Sequence, residues 1–158
     1  MRRYLLLIVL VGPFVGACTS DDPAPTVSVL SASPDELYPN DDLKDDVRIV
    51  VEYSDADGDL GEGFAEVHDC RGDELLTVLQ IPAIAPQDVV ADGTRITGSL
   101  ELNVTDIGAV AASTLPAVCD ELGIAAQAAN ETVFCVVLVD AKDHTGPGDC
   151  TTPITLAP

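Results

Sequence analysis

The sequence predicts an all-β protein, an antiparallel sandwich of about seven short strands with a short helical insertion near 107–130. Three observations carry that reading: apolar and polar residues alternate with period two in several runs, turn-forming residues separate most of these runs, and strands do not alternate with helices. The first run, 26–30, is rich in β-branched residues, and 31–45 is a connection dense in Pro, Asp and Asn. Next, Val47, Ile49, Val51 and Tyr53 alternate with Arg48 and Glu52, as in a half-buried strand. Residues 54–63 are too polar and glycine-rich to be anything but a loop. An extended pattern resumes over 64–70, Arg71-Gly72-Asp73 makes a turn, and 74–81 is a further strand.

Asp92-Gly93 has the chemistry of a hairpin turn. After it, Ile96, Leu100, Leu102 and Val104 alternate with Arg95, Thr97, Ser99, Glu101 and Asn103, the clearest period-two signal in the chain. Residues 107–130 break the pattern. A short helix is expected there, from Thr114 or Leu115 to Leu122, with Pro116 near its start and Gly123 after its end. Residues 133–139 are apolar throughout, as befits a strand buried on both faces. Residues 151–156 close the domain, and Pro153 points to an edge position.

The chain has 158 residues and a formal net charge of −20. Such a surface repels nucleic acid and anionic lipid, so nucleic-acid binding is excluded. Unlike a disordered acidic tail, however, the chain is rich in Val, Leu and Ile and can bury a core. Its length suits one domain, assigned to 26–158.

The N-terminus carries a separate signal. Met1-Arg2-Arg3 gives a positive start and 4–11 an apolar run, the pattern of a signal peptide ending at residue 17. The run falls short of the roughly 20 residues of a membrane-spanning helix, and Gly12-Pro13 would break it. Val15-Gly16-Ala17-Cys18 resembles the lipobox of bacterial lipoproteins. That resemblance implies cleavage before Cys18, lipidation of its thiol and attachment to a membrane through the lipid. Residues 18–25 are polar and punctuated by proline, and read as a tether. Thr19 after the lipidated residue implies the bacterial outer membrane, by the sorting pattern of enteric lipoproteins. Asp21-Asp22 resembles the acidic tags of surface-exposed lipoproteins, which leaves the periplasmic and outer faces both open.

Residues 47–67, with Asp-Ala-Asp-Gly-Asp-Leu-Gly, and 136–146, with Val-Asp-Ala-Lys-Asp-His-Thr-Gly, resemble the PKD-like and other immunoglobulin-like modules of bacterial lipoproteins. Asp55, Asp57 and Asp59 place three carboxylates within five residues, and repulsion at that spacing disfavours ionisation unless a cation or water screens it. Calcium takes six to eight oxygens in irregular geometry and suits such a loop. The loop therefore reads either as a calcium site or as a solvated acidic turn. An EF-hand is rejected, although Glu66 falls at its twelfth position, because Leu60 stands where that loop needs glycine and the flanks read as strands. In an immunoglobulin-like sandwich the loops after the second and penultimate strands lie at one end, so the resemblance implies that Asp140 and Asp143 join the aspartate loop.

Setting Cys18 aside leaves Cys70, Cys119, Cys135 and Cys150, an even set for an oxidising compartment, with three pairings open. The preferred pairs are Cys119 with Cys135 and Cys70 with Cys150. Their spacings lack the close pairs of zinc sites. Only His68 and His144 supply imidazoles, and no nucleophile elbow, His-Glu-x-x-His helix or phosphate loop is present. These observations favour a non-enzymatic structural or interaction module with an envelope or extracellular protein partner. An envelope hydrolase with an acidic active site is the alternative, and a bare spacer domain a third.

Overall fold

The structure, a computed structural model, describes residues 23–39, 45–72, 75–82, 95–105, 107–108, 116–125, 128 and 130–157. The expected signal peptide, the lipobox-like sequence with Cys18, most of the expected tether, the expected Asp92-Gly93 turn and most of the segment before Pro116 lie outside the described residues. The strands are β1 (Thr26–Ser33), β2 (Glu36–Leu37), β3 (Val47–Asp55), β4 (Phe64–Asp69), β5 (Leu75–Gln80), β6 (Ile96–Val104), β7 (Glu131–Thr132), β8 (Phe134–Val139), β9 (Asp149–Cys150) and β10 (Ile154–Leu156), with one short helix, α1 (Ala117–Glu121), between β6 and β7.

Seven of these strands make two sheets, ordered β1-β3-β6 and β5-β4-β8-β9, with every pairing antiparallel. This is the strand order of an immunoglobulin-like sandwich in which β5 hydrogen-bonds to β4. The remaining three form a small sheet, β2-β10-β7, in which β10 runs parallel to β2. Of these, β10 falls within the expected closing run 151–156, whereas β2 and β7, like β9 of the larger sheet, were not expected. β2 and β7 are two residues each, too short for period two to show.

Parity explains the core. Val47, Ile49, Val51 and Tyr53 of β3 point inward, and β6 presents Leu102 and Val104 opposite Ile49 and Val47. All six residues of β8 are buried, because it lies between β4 and β9 with its inner face on the main core, and its other face toward α1 carries Cys135. Full burial of each such side chain contributes about 1.5–3 kcal/mol. β1 keeps its parity through a bulge between Val29 and Ser31, which turns Leu30 out to solvent. Asp149 Oδ2 accepts the Val29 N–H at 2.7 Å, tying the edge of one sheet to β9 of the other.

Two expectations are corrected. Pro153 does not mark an edge: it precedes β10, which is the central strand of its sheet. The disulfides are Cys70–Cys119 and Cys135–Cys150. Cys135 and Cys150 face each other across the β8–β9 pairing, and Cys119 on α1 packs over Cys70 at the end of β4. Linear spacing shows neither the β9 strand nor the side on which the helix docks. Cys70 and Cys135 Sγ lie 3.4 Å apart, so the two bridges share one small core with Val133.

Candidate metal centre

Asp55 ends β3 with the same parity as Val51 and Tyr53, so the strand drives its carboxyl inward, and it is fully buried. Its Oδ2 accepts the N–H of Leu60 at 2.8 Å, which folds the loop back on itself, and Leu60 plugs the core beneath. Between them Gly58 has φ 81°, a left-handed turn that costs a residue with Cβ and that glycine adopts freely. This turn brings Asp57 and Asp59 back beside Asp55, both half-buried.

Asp140 arrives from the other sheet, as the first residue after β8. Its carboxyl organises its own turn: Oδ1 accepts the N–H groups of Lys142 at 2.8 Å and His144 at 2.9 Å, and Oδ2 lies 2.8 Å from His144 Nδ1. A carboxylate has no proton to give, so Nδ1 is the donor. The two loops are joined directly, since the Ala141 N–H donates to the Asp59 carbonyl at 3.1 Å. Gly63 makes the approach possible: a Cβ there would sit 2.1 Å from the Val139 carbonyl oxygen and 2.9 Å from Asp140 Cα.

One carboxylate oxygen from each of Asp55, Asp57, Asp59 and Asp140 lies within 4.8 Å of the others. Asp143 stands outside this group. Its side chain is exposed, its φ is 67°, and its N–H donates to the Asp140 carbonyl at 3.2 Å. Lys142 Nζ reaches across to Asp57 Oδ2 at 3.1 Å and Asp59 Oδ2 at 2.8 Å. The second contact is an ion pair whose angle falls outside hydrogen-bond geometry.

The remaining oxygens are the distinctive feature. Oδ1 of Asp55, Asp57 and Asp59 are all shielded from solvent and have no hydrogen-bond partner among the described residues. A buried polar atom left unsatisfied costs about 1–3 kcal/mol, more when charged. The electrostatics follow. Burial pushes the Asp55 carboxyl above its ordinary value, against the Leu60 hydrogen bond and with help from Asp57 and Asp59. Burial likewise raises Asp59, outweighing Lys142. Burial acts upward on Asp57 too, but the hydrogen bond from the Lys142 ammonium leaves it lowered. Lys142 is itself raised by its two aspartate partners.

Sequence reasoning named the four converging aspartates but missed Lys142 and Gly63. Lys142 sits in the Asp-Ala-Lys-Asp run, where its charge was legible and its reach was not. Gly63 ends a Gly-Glu-Gly stretch, a signal for a turn that does not reveal which backbone presses on it. Three of the cysteine sulfurs are also close enough to hold a metal, but they are spent in disulfides and offer no thiolate. A depression of about 600 Å³ lies elsewhere, on the β1-β3-β6 sheet over Tyr53 and Gly98.

No family model matches the chain, and neither the curated proteins nor the solved structures include a match to it.

Proposed function

We propose that this chain is a lipid-anchored module of a bacterial cell envelope, non-enzymatic, built for structure or interaction, and braced by calcium at the aspartate cluster. The observation that carries the calcium reading is the set of shielded, unpartnered Oδ1 atoms of Asp55, Asp57 and Asp59 beside the buried Asp140. An all-oxygen donor set of irregular shape matches a hard cation that takes six to eight oxygens. Binding there would clamp the ends of β3 and β8, one from each sheet, and so brace the sandwich at one end. The lipid anchor rests on the Val15-Gly16-Ala17-Cys18 sequence, and an outer-membrane location on Thr19.

A melt of the purified oxidised protein with and without millimolar calcium, beside an Asp57→Ala, Asp59→Ala double variant, tests the reading. The parent is expected to gain about 2.7 kcal/mol at a calcium concentration a hundred times its Kd, and the double variant nothing. Equal behaviour of the two proteins would sink calcium bracing. Mass spectrometry of the membrane-extracted protein, with Cys18→Ser as control, tests the anchor: the parent is expected to carry a diacylglycerol adduct that the variant lacks.

One geometry favours the hydrolase as the second reading. Asp140 orients His144 through Nδ1, the relation of an orienting acid to a general base. Activity toward an envelope substrate that His144→Ala abolishes, in the presence of chelator, would favour it over a calcium brace.

A further inference from the structure

The same Asp57 and Asp59 that offer unpartnered oxygens also hold an ammonium group. Lys142 Nζ lies at 3.1 and 2.8 Å from their Oδ2 atoms, while the Oδ1 atoms of the same two residues, and of Asp55, go without partners. One ammonium has three donors and a single charge, and it reaches two of the four carboxylates that converge here. It cannot satisfy the cluster. A divalent ion coordinated by these oxygens would sit at 2.3–2.6 Å from each, and an ammonium already on two of the same carboxylates would be repelled by it.

Lys142 can also leave at little structural cost. Its side chain is 55% exposed, and its stem is long and flexible. The backbone beneath it is fixed independently, by Asp140 Oδ1 on its own N–H and by the Asp59 carbonyl on the N–H of Ala141. Swinging the ammonium into solvent therefore breaks neither of these backbone hydrogen bonds.

Resting on the reading of the cluster as a cation site, we infer that Lys142 is a built-in competitor of the divalent cation. It covers Asp57 and Asp59 when the ion is absent and must swing out for the ion to bind. Its charge thereby holds the apo loop together and sets the affinity of the site. A tethered monovalent cation keeps the module folded where calcium is scarce and lets it respond only where calcium is plentiful.

Calorimetric titration of calcium chloride into the purified protein and its Lys142→Gln variant decides the matter, with melts of both in chelator. The Gln variant is expected to bind calcium at least about tenfold more tightly and to melt lower than the parent in chelator. Arg48→Gln serves as the control for net charge, since Arg48 pairs with Glu101 at the far end of β3; it is expected to leave affinity within about twofold. Equal or weaker binding by Lys142→Gln than by a calcium-binding parent would overturn the competitor role and leave the cation site standing. Equal tightening by Arg48→Gln would overturn it as well, assigning the effect to whole-protein charge. If neither the parent nor Lys142→Gln binds calcium, the cation site falls and the competitor with it. Binding by Lys142→Gln alone would show a parent in which Lys142 wins the competition outright.

Discussion

Asp55 is held where a carboxyl is least welcome, fully buried and facing two further aspartates. Its folded-state pKa is raised, with burial as the largest cause. A raised carboxyl contributes stability that is fully present below its ordinary value of 3.8 and lost as pH rises through the folded value. Asn keeps an acceptor for the Leu60 N–H but cannot ionise. In chelator, the melting temperature of the parent relative to Asp55→Asn is therefore expected to fall as pH rises from about 4 to 7. A difference between the two that stays constant with pH would contradict the burial argument. Calcium should reverse the trend in the parent, because the ion binds the ionised form and its contribution grows with pH.

At the scale of the element, β4 repeats the device of β3. Ala65, Val67 and Asp69 share its inward parity, so this strand too delivers a carboxyl to the interior at its last residue. Here the carboxyl is fully employed. Asp69 accepts from the Arg71 backbone N–H at 3.0 Å, from the Arg71 guanidinium and from Thr132 Oγ1 at 2.7 Å, and Arg71 Nη1 reaches the Gly108 carbonyl at 3.4 Å. That bracket fixes the turn after β4 to β7 and to the chain after β6. Asp69→Ala would leave the Arg71 guanidinium buried and uncompensated, and urea denaturation is expected to show a loss of about 3–5 kcal/mol. A loss within the range of an exposed ion pair, below about 1 kcal/mol, would mean the bracket is solvated in solution. Both carboxyls are buried, but among the described residues Asp69 has a hydrogen-bond partner on each oxygen and Asp55 has one on Oδ2 alone, the contrast on which the proposed cation site rests.

For the whole molecule, the two disulfides sit in a satellite core under α1, away from the aspartate cluster. Cys70–Cys119 closes a span of 49 residues and Cys135–Cys150 one of 15. Chain entropy makes the longer loop worth more, about 4 against about 3 kcal/mol. Paired Cys→Ser variants are expected to lose stability in that order, measured by denaturation under non-reducing conditions; the reverse order would show that packing of the bridges outweighs loop closure. On the proposed reading, calcium and the disulfides would brace different parts of one sandwich.

The sequence alone determined the strands whose inward and outward residues alternate, because the side-chain period of a strand is a local property. It also determined the buried character of β8, since a strand enclosed on both sides must be apolar throughout, and the presence of a short helix ending before Gly123, although α1 starts at Ala117 and not at Thr114 or Leu115. The grouping of Asp55, Asp57 and Asp59 was legible for the same reason, being contained in one loop, and Asp140 followed from the strand order the fold resemblance implied. Tertiary structure decided the rest. Which cysteines pair depends on β9 lying opposite Cys135 and on the side where α1 docks. That Asp140 reaches the cluster while Asp143 stays exposed depends on how the turn after β8 docks on the aspartate loop. That Lys142 spans to Asp57 and Asp59, and that Gly63 leaves room for the Asp140 backbone, depend on contacts between segments about 80 residues apart. Local periodicity carries no information about such distances, and only the packing of one sheet on the other sets them.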